Sequence, residues 1–510
     1  MAMLLALKSS AAPLNRRVYQ ALKSGIREGR FGPGSRLPST RALAADLGVS
    51  RNTVTLAYEQ LAAEGYVASK DRSSTTVLGI EQPRTLVQPV AGYASQPVQL
   101  SAYARRLMQD KIAPPAAAFG RRPGVRYDFR YGSAALDEFP NEIWRRLLSV
   151  HARQASRDTL GYGFPAGHLP LRVALADYLQ RARGLHCDAD QIIIVNGAQQ
   201  AIDLAARVLL DPGDAVVVEE PHYPGATKTF AAMGARLLRL ATDAQGLDTA
   251  QLPPAGAGAR LAYVTPCHQF PSGTILPLER RLALLDWAAR TGAWVLEDDY
   301  VSEFRYEGKP LEPLQALDRL GRVIHVGTFS KTLFPSLRLG YLVLPRSLVQ
   351  HFIAAKWVTD RFSMLLPQMA LADFISSGQF EKYLRRAGAR NAARREALVE
   401  ALSQHFGDRA DIAGGKTGVH LLVWFKDVPP ADMDAFIARA AQAGVGLYSI
   451  APYFAEPLTR CGLLFGYASL SVSEIRTGIR KLAELVPAPR RGGGKALGRL
   501  GKMAAAHATP

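Results

Sequence analysis

Apolar positions change their period along the chain. In "VSRNTVTLAYEQLAAEG", Val54, Ala57, Tyr58 and Leu61 recur at helical spacing, so one amphipathic helix is predicted there. Just before it, "STRALAADLG" opens on Ser39, an N-cap residue, and closes on Gly48, a C-cap residue. Ser50 is the N-cap candidate of the second helix. Two capped helices joined by a tight turn predict a helix-turn-helix, and "YVASKDRSSTTVLG" after them predicts a two-stranded wing. From residue 126 short apolar runs take over: "QIIIVNG", "AVVVEEP", "RLAYVTP", "AWVLEDDY" and "RVIHVGT" alternate with amphipathic helical stretches. That alternation predicts an α/β fold with a mostly parallel sheet. Four regions result: a helical and winged module over 14–79, a linker over 80–125, the α/β domain over 126–486, and a tail over 487–510. The linker is rich in Pro, Gln, Ala and Ser, with one short helix expected near "AYARRLMQD". The Gly-, Ala- and Arg-rich tail reads as disordered.

At 510 residues the chain is too long for one core, in agreement with two domains. No apolar run is long enough for a transmembrane helix, and "MAMLLALKSS" lacks the basic start of a signal peptide. Cys187, Cys267 and Cys461 are isolated, so neither a disulfide framework nor a metal site is expected, and a reducing cytoplasm fits. The net charge of +18 changes the picture most at the N-terminus: residues 1–80 hold 11 Lys/Arg against 5 Asp/Glu. A surplus of this sign suits a phosphate-facing module. In a helix-turn-helix the first residues of the second helix reach base edges, which here are Arg51, Asn52 and Thr53, with Thr55 beside them. Arginine suits guanine and asparagine suits adenine. Arg36 and Arg41 are placed for phosphates, and Ser39, Thr40 and Ser50 at the helix starts complete the expected interface with a double-stranded operator.

The stretch "GTFSKTLFPSLRLGY" sets Lys331 among small and apolar residues, seven before Arg338. A lysine becomes a nucleophile toward carbonyls when desolvation lowers its pKa, but one lysine alone reads as a surface residue. Four further motifs change that reading. "IIIVNGAQQAIDLA" places Gly197, Ala198 and Gln199 between a strand and a helix, where backbone N–H groups favour a phosphate, with Gly197 allowing close approach and Gln199 expected to add a side-chain donor. "EEPHYPG" puts Tyr223 in a loop after a buried strand, where its ring could stack on a planar cofactor. "AWVLEDDYVSEFRY" ends a strand in Asp298, Asp299 and Tyr300, at the sheet edge where such folds bind ligands. "LGYGFPAGHLPLR" holds Tyr162 and Gly167 ahead of a helix.

Taken in order, these five motifs resemble the fold-type I aminotransferases, which bind pyridoxal 5′-phosphate, over roughly residues 126–486. "GSRLPSTRALAADLGVSRNTVTLAYEQLAAEGYV" resembles the GntR-type winged helix, and the two together are similar to the MocR subfamily of GntR regulators. The resemblance implies a large domain over about 160–375 and a small domain from the flanking segments. It implies that Lys331 forms the internal aldimine, that Asp298 rather than Asp299 pairs with the pyridine nitrogen, and that Tyr300 reaches the phenolic oxygen. Tyr223 would stack on the ring; Gly197, Ala198, Gln199, Ser330 and Arg338 would surround the phosphate; Tyr162 would reach it from the partner subunit of a homodimer.

Three departures bear on function. The turn "CHQFPSG" carries Phe270 where an aminotransferase has a cofactor-binding Asn, leaving His268 or Gln269 as substitutes. "GLLFGYASL" carries Leu464 where the arginine clamp for a substrate α-carboxylate is expected, with Arg460 nearby in another register. Ala226 stands where the GABA-sensing member of the family has an arginine. A carboxylate clamp needs the guanidinium fork. The expectation is therefore a transcription regulator that senses pyridoxal phosphate itself, as PdxR-type regulators do, or an amine effector of the taurine or amino-acid type. An active aminotransferase carrying a DNA-binding domain is the alternative.

Overall fold

The computed structural model describes residues 12–70, 74–78, 99–109, 124–308 and 312–486. The wing tip, the remaining linker stretches and the tail named above lie outside the described residues. The chain divides into two compact units, Met1–Gln99 and Leu100–Pro510.

The first unit holds the helices Leu14–Arg27, Thr40–Leu47 and Arg51–Ala63. The Ser39 hydroxyl accepts from the Ala42 N–H at 3.2 Å and starts the second helix; Gly48, at φ 64°, ends it. The Ser50 hydroxyl accepts from the Thr53 N–H at 3.1 Å and starts the third. Each cap satisfies a donor that the first helical turn leaves unpaired. Val54, Ala57, Tyr58 and Leu61 turn inward against Val18, Leu22 and Leu43. The Tyr58 hydroxyl donates to Pro38 O at 2.8 Å, fixing the third helix against the entry of the second. Strand Ser74–Val77 lies between Arg36–Leu37 and Val67–Lys70 in a three-stranded antiparallel sheet.

The second unit is built on an eight-stranded sheet. Its order is Ile192–Val195, Gly340–Val343, Val323–Thr328, Trp294–Asp299, Ala259–Val264, Ala215–Glu220, Arg236–Asp243 and Gly246–Leu247. The central pairings are parallel; Gly340–Val343 runs against both of its neighbours. Runs such as Ile192–Val195 are apolar at every position because helices cover both faces of the sheet. Strands Ile192–Val195, Ala215–Glu220, Trp294–Asp299 and Val323–Thr328 all point the same way, so the loops after them share one edge. A second, antiparallel sheet joins Ala410–Ala413, His420–Phe425, Cys461–Gly466 and Tyr448–Ser449. The long helix Gln379–Phe406 leads from the first sheet to the second and packs against Val472–Ala483. Within the stretch read as linker, helix Ala102–Gln109 packs on helix Pro224–Met233, and Arg106 Nε donates to Ala232 O at 2.8 Å. Among the described residues, no helix is long and apolar enough to cross a membrane.

Candidate functional site

The shared strand edge gathers the residues that the motifs singled out. Lys331 follows strand Val323–Thr328, and its Nζ donates to Gly132 O at 2.7 Å. Burial of that amine pulls its pKa down to about 8, against the opposing pull of Asp298. Gly132 has φ 74°, a left-handed backbone that favours glycine, and a Cβ there would lie 2.9 Å from the amine and displace it. Asp298 and Asp299 end strand Trp294–Asp299 in contrasting settings. Asp298 Oδ2 accepts from the Tyr263 hydroxyl at 2.7 Å, while Oδ1 is buried with no partner. Burial pushes its carboxyl up to about 6. Asp299 is saturated: Arg183 Nη2 donates to it at 2.6 Å, and Ser302 donates through its backbone N–H and its hydroxyl. Burial would raise Asp299, but Arg183, His325 and the Ser302 hydroxyl together outweigh it and hold the carboxyl below the ordinary range. The Tyr300 hydroxyl is also buried without a partner.

The turn from Ile192–Val195 into helix Ala198–Leu209 forms a small basic cup. Gly197 has φ 85°, and a Cβ there would meet the Arg338 guanidinium at 3.2 Å. Arg338 Nη2 donates to Asn196 O at 2.6 Å, and Arg338 itself takes a left-handed φ of 52°. Such a conformation in a non-glycine residue costs energy and concentrates at functional sites. Asp360 braces the turn from behind, accepting from Asn196 Nδ2 at 2.6 Å, Gln200 Nε2 at 2.7 Å and Lys356 Nζ at 2.8 Å. Ser330 bonds Thr328 on the opposite wall. Gln199 turns its side chain toward the neighbouring helix, donating to Gly225 O and Thr229 Oγ1. The side-chain donor expected from Gln199 is therefore not offered to the cup, because the neighbouring helix captures the amide, and only the backbone is left for an anion. Tyr223 is edge-on to Phe270 at 5.8 Å, and burial pushes its hydroxyl up to about 12. Tyr162 is 84% exposed, set against Phe362 and Arg361.

These groups fit pyridoxal phosphate. Two buried polar atoms, Asp298 Oδ1 and the Tyr300 hydroxyl, lack partners, and the cofactor's pyridine nitrogen and phenolic oxygen would satisfy one each. The basic cup suits a phosphate at a helix start. Sequence reasoning did not find Tyr263, Arg183 or Gly132, which act from distant segments.

The three departures acquire geometry. The Gln269 side chain is consumed by its own turn and by the loop at Pro221: it donates to Pro221 O and Phe270 O and accepts from the Ser272 hydroxyl. His268 keeps Nε2 buried and unpaired, with its ring edge-on to Tyr300 at 5.8 Å. Burial drives the His268 pKa well down, so the ring is neutral. Leu464 is fully buried against Leu422, Tyr448, Ile450 and Tyr453. Arg460 is tied to Asp411 and lies over Trp424, so it is committed elsewhere. Ala226 is buried in helix Pro224–Met233.

In the first unit Arg36, Arg41, Arg51 and Asn52 are exposed. Arg51 Nε reaches Thr40 Oγ1 at 3.4 Å, so the starts of the two helices adjoin. The hydroxyls of Ser39 and Ser50 cap their helices, and Thr53 Oγ1 lies 2.8 Å from Ser50 Oγ.

Comparison with known proteins gives two family matches. Residues 14–77 match the model of bacterial regulatory proteins of the gntR family, and residues 130–464 match aminotransferase class I and II. The chain is 38% identical over 480 residues to the probable rhizopine catabolism regulatory protein MocR of Rhizobium meliloti, covering 93% of this chain and 94% of that protein. It is 29% identical to the HTH-type pyridoxine biosynthesis regulator PdxR of Corynebacterium glutamicum, over 92% of this chain and 95% of that one. Among solved structures it is similar to LysN of Thermus thermophilus, an α-aminoadipate aminotransferase complexed with N-(5′-phosphopyridoxyl)-L-leucine. That match has 27% identity and a TM-score of 0.68, and it covers 76% of this chain and 97% of that chain.

Proposed function

We propose that this chain, which belongs to the GntR-family regulators carrying an aminotransferase class I and II domain, uses its cofactor site for sensing rather than turnover. It is a DNA-binding transcription regulator, and pyridoxal phosphate is its cofactor. The observation that carries the sensing reading is Leu464. An apolar side chain, packed among Leu422, Tyr448, Ile450 and Tyr453, stands where a substrate carboxylate clamp is expected. Lys331, Asp298, Tyr300 and the basic cup are present, although Phe270 replaces the cofactor-binding Asn, while the group that fixes an amino-acid substrate is absent.

The effector on this reading is pyridoxal phosphate itself. Lys331 would anchor its aldehyde carbon, Asp298 would hold the pyridine nitrogen and Tyr300 the phenolic oxygen. Gly197, Ala198, Gln199 (through its backbone), Ser330 and Arg338 would hold the phosphate, and Tyr223 would face the ring. When bound, the cofactor supplies an electrophilic carbon that can also capture an amine. An amine effector is the second reading, favoured by the unpaired His268 Nε2 beside Tyr300, a free polar atom for a ligand group. The working form would be a homodimer gripping two operator half-sites, with Arg51, Asn52 and Thr53 at base edges and Arg36, Thr40 and Arg41 at phosphates. Ser39 and Ser50 would serve the interface by holding the two helix starts. Fluorescence anisotropy on operator DNA with and without pyridoxal phosphate tests the reading. A cofactor-dependent change in affinity is expected, with no steady-state conversion of amino acids and keto acids. Robust turnover together with cofactor-independent DNA affinity would overturn it.

A further inference from the structure

Behind the two acids lies a cleft of about 500 Å³ that plays no part in the cofactor site. Its wall brings together the end of helix Leu169–Arg183, the loop after strand Trp294–Asp299 and the first turns of helix Gln379–Phe406. Four arginines line it (Arg181, Arg183, Arg305 and Arg385), against two acids, Glu303 and Glu381. Both acids are already engaged: Glu381 is 3.0 Å from Arg181, and Glu303 is 3.8 Å from Arg183. Arg305 and Arg385 have no ion-pair partner among the described residues. The Arg305 Nε and Nη1 atoms are out of contact with water and bond to no acceptor. A guanidinium that is partly desolvated and uncompensated is costly, and an anion seated in the cleft against the part of Arg305 that lines it would offset the charge. The size is that of a metabolite site rather than a single inorganic ion. Arginine forks around it suit carboxylate or phosphate groups.

Two bonded paths lead from this cleft to the cofactor edge. Arg183, in the cleft wall, donates to Asp299 at 2.6 Å, and Asp299 adjoins Asp298. Thr417, also in the wall, has Oγ1 2.7 Å from His268 Nδ1, and the His268 ring meets Tyr300. An anion drawn to Arg305 would also attract Arg183 and alter its hold on Asp299.

We propose that this cleft is a second ligand site, for a small organic polyanion bearing two or more carboxylate or phosphate groups, and that its occupancy is felt at the cofactor edge through Arg183 and Asp299. The proposal goes beyond the sensing reading and does not depend on which effector occupies the first site. Citrate is titrated calorimetrically into the full chain loaded with pyridoxal phosphate, so that the phosphate cup is already filled; 2,3-bisphosphoglycerate, with two phosphates beside one carboxylate, is titrated in parallel to show whether phosphate is preferred. One citrate or bisphosphoglycerate per chain is expected, weakened at least tenfold both by Arg305→Gln and by Arg385→Glu, with a shift in the visible absorbance of the bound cofactor at saturation. Arg385 is exposed on its helix, so its variant stays informative even if Arg305→Gln folds poorly. Affinity unchanged in both variants, or no saturable binding of either probe, would overturn the site. Binding that leaves the cofactor spectrum unmoved would overturn the link.

Discussion

Asp298 keeps one oxygen buried without a donor, whereas every oxygen of its neighbour Asp299 is claimed by Arg183 or Ser302. Substitution should therefore separate the two acids. Asp299→Ala leaves buried Arg183 with only Glu303, at 3.8 Å, and breaking a buried pair from one side costs about 3–5 kcal/mol. A large drop in the denaturant midpoint is expected. Asp298→Asn should change stability far less while weakening cofactor retention, read by equilibrium dialysis of pyridoxal phosphate. Equal stability losses in the two variants would contradict the division. Lys331 makes a prediction in pH. Its pKa falls from 10.5 to about 8 because burial disfavours the charged amine. Below about pH 8 the folded chain carries that charge at a cost, and the cost is relieved as pH rises through 8 toward 10.5. The neutral amine is the reactive form, so capture of pyridoxal phosphate by the cofactor-free chain should accelerate up to about pH 8 and then level off. A stopped-flow absorbance profile still climbing steeply at pH 10 would indicate an ordinary lysine, and Lys331→Ala should abolish the signal.

At the level of elements, the helix caps and strand runs were legible because their signals are local. Ser39, Gly48 and Ser50 mark helix ends by side-chain chemistry within three residues, and Ile192–Val195 announces a doubly covered strand by having no polar position. What the sequence could not show is pairing across long separations. Lys331 meets Gly132 across 199 residues and Arg183 meets Asp299 across 116, with no periodicity to betray either. The Gln199 side chain was also illegible: the turn motif is local, but the neighbouring helix that captures the amide is set by packing. The third helix of the first unit carries its own tests. Ser50→Ala should destabilise that unit by about 1 kcal/mol through the lost cap. Arg51→Ala should cost about 1–3 kcal/mol at the matched operator and relax base preference. Arg41→Ala should weaken matched and mismatched DNA alike and flatten the salt dependence. Equal losses on matched and mismatched sites for Arg51→Ala would remove it from base readout.

For the whole molecule, the decisive surface is the one around Tyr162. Leu160, Tyr162, Phe164, Trp357, Val358 and Met364 are all exposed in the single chain, and Arg361 lies over both the Tyr162 and Trp357 rings. An apolar exposure of this extent marks an interaction face. On the homodimer reading proposed above, a second copy would cover this face and would also give Tyr162 a task, since its hydroxyl would then be available to the other subunit's phosphate cup. Met364→Asp places a charge in that face without altering any residue assigned to the cofactor or to DNA. If the face joins two copies, three losses should appear together. Sedimentation should show a monomer, pyridoxal phosphate should be retained less well, and operator affinity should fall because two half-sites are no longer gripped at once. Tyr162→Phe, which keeps the ring, should weaken cofactor retention while leaving the sedimentation unchanged. A monomeric Met364→Asp chain that holds cofactor as tightly as the parent would separate dimerisation from the cofactor site and remove Tyr162 from the phosphate cup.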